Sequence, residues 1–132
     1  MNENDLNEND KNEKKLFALR GATLCLNDPA DIKKQVTAMY DELLKRNSLA
    51  ETDIVSIIFS VTQDLDTKNP ASALREEGRA GEAALFVTQE AHFCNSLNNV
   101  IRLLIHCYLL PASNVVHVYR NGAEVLRPDR KV

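Results

Sequence analysis

The chain has 132 residues, a formal net charge of −3 and an apolar fraction of 44%. This length suits one domain with a single core. Because 19 acidic residues outnumber 16 basic ones and the arginines are dispersed, the charge gives no case for binding nucleic acid. No apolar run approaches the ~20 residues needed to span a bilayer, so no membrane interaction is expected.

Residues 1–15 differ in composition from the rest of the chain. The motif Asn-Glu-Asn-Asp occurs twice there, and Leu6 is the only large aliphatic residue after the initial methionine. Such a segment buries too little apolar surface to offset the entropy lost on ordering. We therefore predict a disordered polar tail over residues 1–15 and one folded domain over residues 16–132.

The first elements of the domain are a strand and a helix. Residues 16–20 form a short apolar strand that Gly21 is expected to stop. A helix then runs to about residue 47, with Asn27 or Asp28 as its N-cap and a proline in its first turn. Its apolar residues follow helical spacing and predict one stripe packed on a sheet: Ile32, Val36, Met39, Tyr40, Leu43 and Leu44.

The middle of the chain alternates between strands and a short helix. Residues 54–61 are rich in β-branched and apolar side chains and predict a central strand. A polar loop over residues 62–69 leads into a two-turn helix over residues 70–78, which starts at a proline and ends at a glycine. Residues 84–87 are another strand, and Glu90 follows shortly after it.

The last third predicts a long helix and a hairpin. The helix is capped by Asn95 or Ser96, carries apolar residues at helical spacing and closes before Pro111. Strands over residues 115–119 and 123–126 then flank an Asn-Gly pair, which favours a tight hairpin.

The order of these elements predicts an α+β fold. About five strands form a mixed sheet, and the helices cover one face of it. Because a single helix layer leaves the other face or the edges of the sheet uncovered, oligomerisation is expected.

Four arginines, one carboxylate and one phenol stand at the exposed points of these elements. A guanidinium is always charged and presents forked donors that suit carboxylates. Several of them with one carboxylate and one phenol would suit a small polyanion that bears a hydroxyl. No nucleophile with its base emerges, so the set indicates recognition and electrostatic stabilisation. The residues are Arg20, Arg75, Glu90, Arg102, Tyr119 and Arg127.

The cysteines and histidines give no metal or redox site. Cys25, Cys94 and Cys107 are odd in number and have no close-paired spacing, so a disulfide framework is not expected. No histidine has a familiar zinc spacing to a cysteine, and the glycines form no phosphate-binding loop. Together with an N-terminus unlike a signal peptide, this predicts a cytoplasmic protein.

Read together, these residues resemble the monofunctional chorismate mutases of the trimeric, pseudo-α/β-barrel class. The similarity covers about residues 16–130. It rests on several short segments in family-like order: Leu19-Arg20-Gly21-Ala22-Thr23, Asp64-Leu65, Pro70-Ala71 with Arg75, Gln89-Glu90, Ile101-Arg102, His117-Val118-Tyr119 and Val125-Leu126-Arg127-Pro128.

The resemblance implies that chorismate is the substrate and that it rearranges to prephenate without a cofactor or a metal. Arg102 would donate to the ether oxygen as negative charge grows there, and Glu90 would accept from the ring hydroxyl. Arg20 and Tyr119 would bind the side-chain carboxylate. These roles describe stabilisation of a transition state, not acid–base catalysis.

The resemblance also implies a homotrimer with active sites between neighbouring subunits. The loop at residues 69–72 would face Arg102 of the neighbour. The chain departs from a familiar version of the family at Asn69, Ser72 and Val87, where an aromatic residue, a lysine and a cysteine can occur. The wider substrate-binding set that the resemblance implies is Arg20, Asn69, Ala71, Ser72, Arg75, Val87, Tyr119, Leu126 and Arg127.

Two other functions share features with the chorismate mutase function that the resemblance implies. A trimeric imine deaminase of similar fold also uses an arginine to bind a substrate carboxylate. The pair Arg102 and Glu90, together with Arg20 and the Leu126-Arg127-Pro128 segment, favours the mutase over the deaminase. A non-catalytic trimer would bind chorismate without converting it.

Overall fold

The structure, a computed structural model, describes residues 13–127 of the chain. Seven main elements and two short 3₁₀ segments make up this part. In chain order they are β1 (Lys15–Leu24), α1 (Pro29–Arg46), a 3₁₀ segment (Glu51–Asp53), β2 (Ile54–Val61), α2 (Pro70–Glu76), β3 (Ala84–Gln89), β4 (Val100–Leu109), β5 (Val118–Arg120) and a second 3₁₀ segment (Ala123–Leu126).

The five strands form one mixed sheet in the order β3-β2-β4-β1-β5. Strand β4 lies at the centre and runs antiparallel to both β1 and β2. The edge strands are parallel to their neighbours, β3 to β2 and β5 to β1. The predicted mixed sheet of five strands is therefore confirmed, and so are the strands expected near residues 54–61 and 84–87.

Helix α1 begins and ends where the sequence predicts. The side chain of Asp28 accepts a hydrogen bond from the main-chain N–H of Asp31 at 3.0 Å, Pro29 occupies the first turn, and Asn47 is the C-cap. The predicted stripe of apolar residues is buried against the sheet, except that Leu44 is only partly buried. This amphipathic pattern fixes which side of the helix faces the core.

Strand β1 does not stop at Gly21, as the sequence suggested, but continues to Leu24. The glycine is required by packing, because α1 crosses β1 at this point. A Cβ atom placed there would lie 2.9 Å from Cδ1 of Leu43 and 3.1 Å from Sδ of Met39. Gly21 thus allows close approach of helix and sheet, and its φ is not in the left-handed region.

The prediction of a long helix before Pro111 is wrong, because residues 100–109 form the central strand β4. Leu103 and Ile105 are buried under the helices, whereas Arg102 and Tyr108 point to the other side of the sheet. Apolar residues occur on both sides of the strand, so the usual alternation is hidden. Helical spacing could therefore be read into an unbroken apolar run.

The predicted hairpin at the Asn-Gly pair is also wrong. Asn121 and Gly122 do adopt positive φ angles of 55° and 102°, but the chain then enters a 3₁₀ segment instead of a return strand. The side chain of Asn121 donates to Oε1 of Gln35 at 2.7 Å and to the carbonyl of Leu24 at 3.3 Å. These bonds attach the turn to neighbouring elements, and β5 pairs with β1 alone.

The sheet has one covered face and one open face, as expected. On the covered face, α1 packs on β1 and β5, and α2 packs on β3 and α1. The open face carries the alternate residues of each strand, and no described element packs on it. Four large apolar side chains on this open face are exposed: Leu16 (59%), Ile58 (39%), Phe86 (64%) and Tyr108 (43%).

The structure describes the last three residues of the predicted tail, residues 13–15. Lys15 is the first residue of β1, and Nζ of Lys14 forms an ion pair with Oδ2 of Asp53 at 2.7 Å. Residues 1–12 of the predicted disordered tail lie outside the described residues. Within residues 13–127, no helix has the length and apolar character that crossing a membrane would need.

Candidate active site

The candidate site lies on the open face, where strand pairing sets side chains in a row. Arg102 in β4 is directly opposite Ser60 of β2 on one side and Ala22 of β1 on the other. Ala22 is in turn opposite Tyr119 of β5. Arg20 lies two residues before Ala22 on the same side of β1, so it is a diagonal neighbour of Arg102.

Glu90 joins this row from the loop that follows β3. Its main-chain N–H donates to the carbonyl of Val61 at 2.8 Å, which keeps the residue beside the end of β2. Its Oε1 forms an ion pair with Nε of Arg102 at 2.7 Å and accepts a hydrogen bond from Oγ of Ser60 at 3.0 Å. The Glu90 side chain is only 15% exposed, whereas that of Arg102 is 45% exposed.

Two adjoining depressions surround the exposed guanidinium of Arg102. The smaller has a volume of about 70 Å³ and is lined by Arg20, Ala22, Arg102, Tyr119 and Leu126, among others. The larger has about 210 Å³ and shares Arg20 and Arg102 with the first. Ligand pockets usually enclose about 300–1,000 Å³, so both depressions are smaller than a usual ligand pocket.

The C-terminal part of the described chain borders a third depression beside Tyr119. This cavity of about 300 Å³ is lined by Arg46, His117, Tyr119 and Arg127, with two valines. The guanidinium groups of Arg46 and Arg127 add positive charge beside Tyr119, at the edge of the sheet formed by β5. Leu126 closes the smaller depression, as the last residue of its 3₁₀ segment.

His117 and Ser60 form hydrogen bonds to residues of the site, a role that the sequence did not predict. Nδ1 of His117 accepts a hydrogen bond from the main-chain N–H of Arg20 at 3.0 Å. The imidazole thereby fixes the backbone at Arg20 one residue before β5 pairs with β1. The separation of 97 residues along the chain explains why no local pattern reveals this contact.

The remaining candidates do not lie with Arg102 within one subunit. Arg75 in α2 donates from Nη2 to the carbonyl of Ala83 at 3.0 Å. Asn69 caps α2 by accepting from the main-chain N–H groups of Ala71 and Ser72 at 2.8 and 3.2 Å. Val87 packs on the covered face of β3, opposite Phe59. None of the four predicted rim residues 69, 71, 72 and 87 lines the depressions around Arg102.

The chemistry that this arrangement offers is anion recognition. Arg20 and Arg102 supply guanidinium donors, Tyr119 supplies a phenol and Glu90 supplies an acceptor. Within residues 13–127, no three His, Cys, Asp or Glu side chains are grouped to hold a metal ion. The three cysteines are free, and burial raises the pKa of both Cys25 and Cys107 to about 11.

Known proteins of similar sequence and structure include chorismate mutases. The curated relatives include AroH of Bacillus subtilis, 28% identical over 84% of this chain and 89% of its own length. AroH of Thermus thermophilus is 32% identical over 84% of this chain and 93% of its own length. A solved structure of chorismate mutase from Clostridium thermocellum has a TM-score of 0.75 and 37% identity, and the match covers 83% of this chain and 98% of that one.

A family model described as chorismate mutase type I matches residues 16–130. This match spans the described sheet except Lys15, and it includes Arg20, Glu90, Arg102 and Tyr119 of the open-face site. It favours the mutase over the imine deaminase of similar fold. The chain belongs to the type I chorismate mutase family.

Proposed function

We propose that this protein is a chorismate mutase, which converts chorismate to prephenate in the biosynthesis of phenylalanine and tyrosine. The observation that carries the proposal is the row of Arg20, Glu90, Arg102 and Tyr119 on one sheet face of a chain that belongs to this family. The reaction is a Claisen rearrangement, in which a carbon–oxygen bond breaks as a carbon–carbon bond forms within one molecule. It requires no cofactor and no covalent intermediate.

Arg102 is proposed to stabilise the transition state. As the ether bond of chorismate breaks, negative charge grows on its oxygen, and a guanidinium beside that oxygen binds the transition state more tightly than the substrate. A preorganised donor of this kind contributes about 2.7–4 kcal/mol. Because Nε of Arg102 contacts Glu90, the terminal nitrogens of the guanidinium are the atoms proposed to contact the ether oxygen and a carboxylate.

The other residues of the row are proposed to position the substrate. Glu90 accepts a hydrogen bond from the ring hydroxyl and so orients the ring. Arg20 and Tyr119 line the same depression as Arg102 and bind the side-chain carboxylate, which favours the compact, reactive conformer. Arg127 borders Tyr119 from the outer cavity and adds positive charge near that carboxylate.

The active form is proposed to be a homotrimer that assembles through the open face. The exposed apolar residues there are direct neighbours across the strands: Leu16 is opposite Tyr108, and Ile58 is opposite Phe86. An apolar patch of this kind is a frequent sign of a protein–protein interface. The shallow depressions beside it would gain their missing walls from the neighbouring subunit.

In such a trimer, the residues that lie away from Arg102 within one subunit contribute to the site of the next subunit. Asn69, Ala71 and Ser72 lie at the start of α2 and Arg75 lies in its last turn. Val87 lies in β3, an edge strand. The family resemblance supports this role for the loop and the edge strand. A cytoplasmic location is also proposed, from the cysteine pattern.

The activity is tested by following the loss of chorismate absorbance together with the formation of prephenate. Purified protein should convert chorismate without added metal, and a chelator should not change the rate. Because the reaction involves no proton transfer, turnover should vary little between about pH 6 and 9. A bell-shaped dependence of turnover within that range, or no prephenate at all, would contradict the proposal.

Shared sites are tested by mixing two inactive variants, Arg102→Ala and Arg75→Ala. If each site combines Arg102 of one subunit with Arg75 of the next, random mixed trimers contain intact sites at a frequency of about one quarter. Activity should therefore reappear after joint refolding, and separately refolded proteins serve as the control. A monomeric mass in light scattering, together with full activity at the same protein concentration, would contradict the trimer.

A further inference from the structure

Both neighbours of the Glu90 carboxylate contact the same oxygen. Oγ of Ser60 donates to Oε1 at 3.0 Å, and Nε of Arg102 lies 2.7 Å from Oε1. Among the described residues, no hydrogen bond to Oε2 of Glu90 accompanies these two contacts. The carboxylate therefore presents one occupied oxygen and one that is left for a ligand.

Ser60 is well placed to impose this arrangement. It lies near the end of β2, directly opposite Arg102, and its side chain is half-buried on the open face. It borders the larger depression together with Arg20 and Arg102. Because Glu90 is also attached to β2 through the carbonyl of Val61, both its backbone and its carboxylate are held by the same strand.

Without the hydroxyl, an arginine and a carboxylate at this distance favour a different geometry. Guanidinium and carboxylate groups commonly pair through two parallel contacts, which engage both carboxylate oxygens and two guanidinium nitrogens. Such a pair would use the oxygen needed for the substrate hydroxyl and one of the nitrogens needed for the ether oxygen. The Ser60 hydroxyl opposes this pairing because its hydrogen bond from β2 fixes the position of Oε1 and so the orientation of the carboxylate.

We propose that Ser60 is a positioning residue that limits Glu90 and Arg102 to one contact, between Oε1 and Nε. Oε2 of Glu90 can then accept a hydrogen bond from the ring hydroxyl. The terminal nitrogens of Arg102 can face the reacting ether oxygen. This inference rests on the function proposed above. Ser60 does not touch the reacting atoms, and its effect passes entirely through Glu90 and Arg102.

The main test compares Ser60→Ala with two matched variants. Ser60→Ala should lower kcat/KM roughly tenfold, as expected for the loss of a hydrogen bond to a charged group. Ser60→Thr keeps the hydroxyl and suits a strand, so it should retain most of the activity. Ser56→Ala removes a hydroxyl from the same strand and face, one that pairs with Nδ1 of His106 at 3.1 Å, and should change kcat/KM less than about twofold.

A double-mutant cycle separates positioning from a general structural effect. In a Glu90→Ala background, Ser60→Ala should cost almost nothing further, because the carboxylate it holds is gone. A substrate analogue that lacks the ring hydroxyl should likewise lose much of its sensitivity to Ser60→Ala. Thermal unfolding and light scattering on each variant show whether fold and assembly are retained.

The outcomes distinguish this inference from the proposed function. If the unmodified protein does not form prephenate, the function is wrong and the inference falls with it. If the unmodified protein is active but the losses from Ser60→Ala and Glu90→Ala are fully additive, the inference alone is overturned. Equal losses for Ser60→Ala and Ser56→Ala would also overturn it, since they would reflect a change in the sheet and not in the carboxylate.

Discussion

The two faces of the sheet use the same strands for different purposes. On the covered face, Leu103 and Ile105 of β4 are buried beneath the helices. On the open face, Arg102 and Tyr108 of the same strand remain substantially exposed. A strand places successive side chains on opposite faces, so one ten-residue segment supplies both the core of the subunit and the surface proposed for catalysis and assembly.

The open face itself changes character along its strands. Arg20, Arg102 and Glu90 lie near one end, where β2 and β3 finish and β4 begins. Leu16 and Tyr108 lie opposite each other at the other end. If the apolar end is covered by a neighbouring subunit, water is excluded close to the charged end, and the charges there interact more strongly than they would in water.

The largest effect is expected from removing the charge at the centre of the open-face row. Arg102→Ala should lower kcat by roughly 10²–10³-fold and change KM less, because the charge it stabilises develops in the transition state. Arg102→Lys should recover only part of the rate, since a lysine keeps the charge but lacks the forked donors. Steady-state kinetics on both variants provides the measurement.

Arg20→Ala is the matched comparison for this prediction. The carboxylate that Arg20 is proposed to bind is charged in substrate and transition state alike, so its loss should act mainly on KM. If Arg102→Ala instead raised KM and left kcat intact, Arg102 would be an anion anchor, and the proposed mechanism would lose its central element.

A second prediction contrasts adjacent residues of β4 that face opposite ways. Ile105 is fully buried on the covered face, so Ile105→Ala should reduce the free energy of unfolding by about 2–5 kcal/mol at any protein concentration. Leu104 is half-buried on the open face, and Leu104→Ala should instead weaken assembly. Its effect on urea unfolding should shrink as the protein is diluted, because the interface no longer contributes once both proteins are monomeric.

Equal, concentration-independent losses for Leu104→Ala and Ile105→Ala would contradict the difference between the two faces. Light scattering on a dilution series of Leu104→Ala gives the independent check, because a weakened trimer should dissociate at a higher concentration than the unmodified protein.

The same contrast explains what the sequence could and could not predict. Helix α1 was predictable because Asp28, Pro29 and an apolar stripe at helical spacing all agree. Strand β4 was not, because its open face carries apolar residues such as Leu104 and Tyr108 beside Arg102, so the alternation is hidden. Apolar residues on an open sheet face therefore make a strand look like a buried segment of either type.

Much of the candidate site was predictable only through the family resemblance. Arg20, Glu90, Arg102 and Tyr119 come from four separate places in the chain, and no local pattern joins them. Their proximity follows from the register of β1, β4 and β5 and from the Arg102–Glu90 ion pair. Ser60 and Glu90 are 30 residues apart in the sequence. Their contact depends on tertiary geometry and could not be predicted from composition or spacing.

A smaller effect is expected at a carboxylate on the covered side of the molecule. Oε2 of Glu51 accepts from the hydroxyl of the buried Tyr40 at 2.5 Å and from the main-chain N–H of Ala80 at 2.7 Å. The hydrogen bond from Ala80 is the main cause that lowers the pKa of Glu51, and the hydrogen bond from Tyr40 is the second. Burial, and then the hydrogen bond to Glu51, raise the pKa of Tyr40. Glu51→Gln should cost about 1–3 kcal/mol of unfolding free energy at pH 7.

The sign of the pH dependence follows from the lowered pKa. A carboxylate whose pKa is lower in the folded state stabilises the fold above its unfolded pKa, and this contribution is lost as the pH falls through the folded value. The difference between Glu51→Gln and the unmodified protein should therefore shrink below about pH 4.5. Glu82→Gln, at an exposed position, is the control and should show little difference at any pH.

The smallest effect is expected at the N-terminus. Residues 1–12 contain only Met1 and Leu6 as large apolar residues, so deleting them should leave turnover unchanged and shift Tm by less than about 2 °C. Deleting residues 1–15 is the matched comparison, because it also removes the Lys14–Asp53 ion pair and the first residue of β1. Lys15 pairs with Leu109, which is buried at the end of β4, so the longer deletion should lower Tm further. If deleting residues 1–12 alone cost several degrees, this segment would have to pack on the domain, and the prediction of a disordered tail would be wrong.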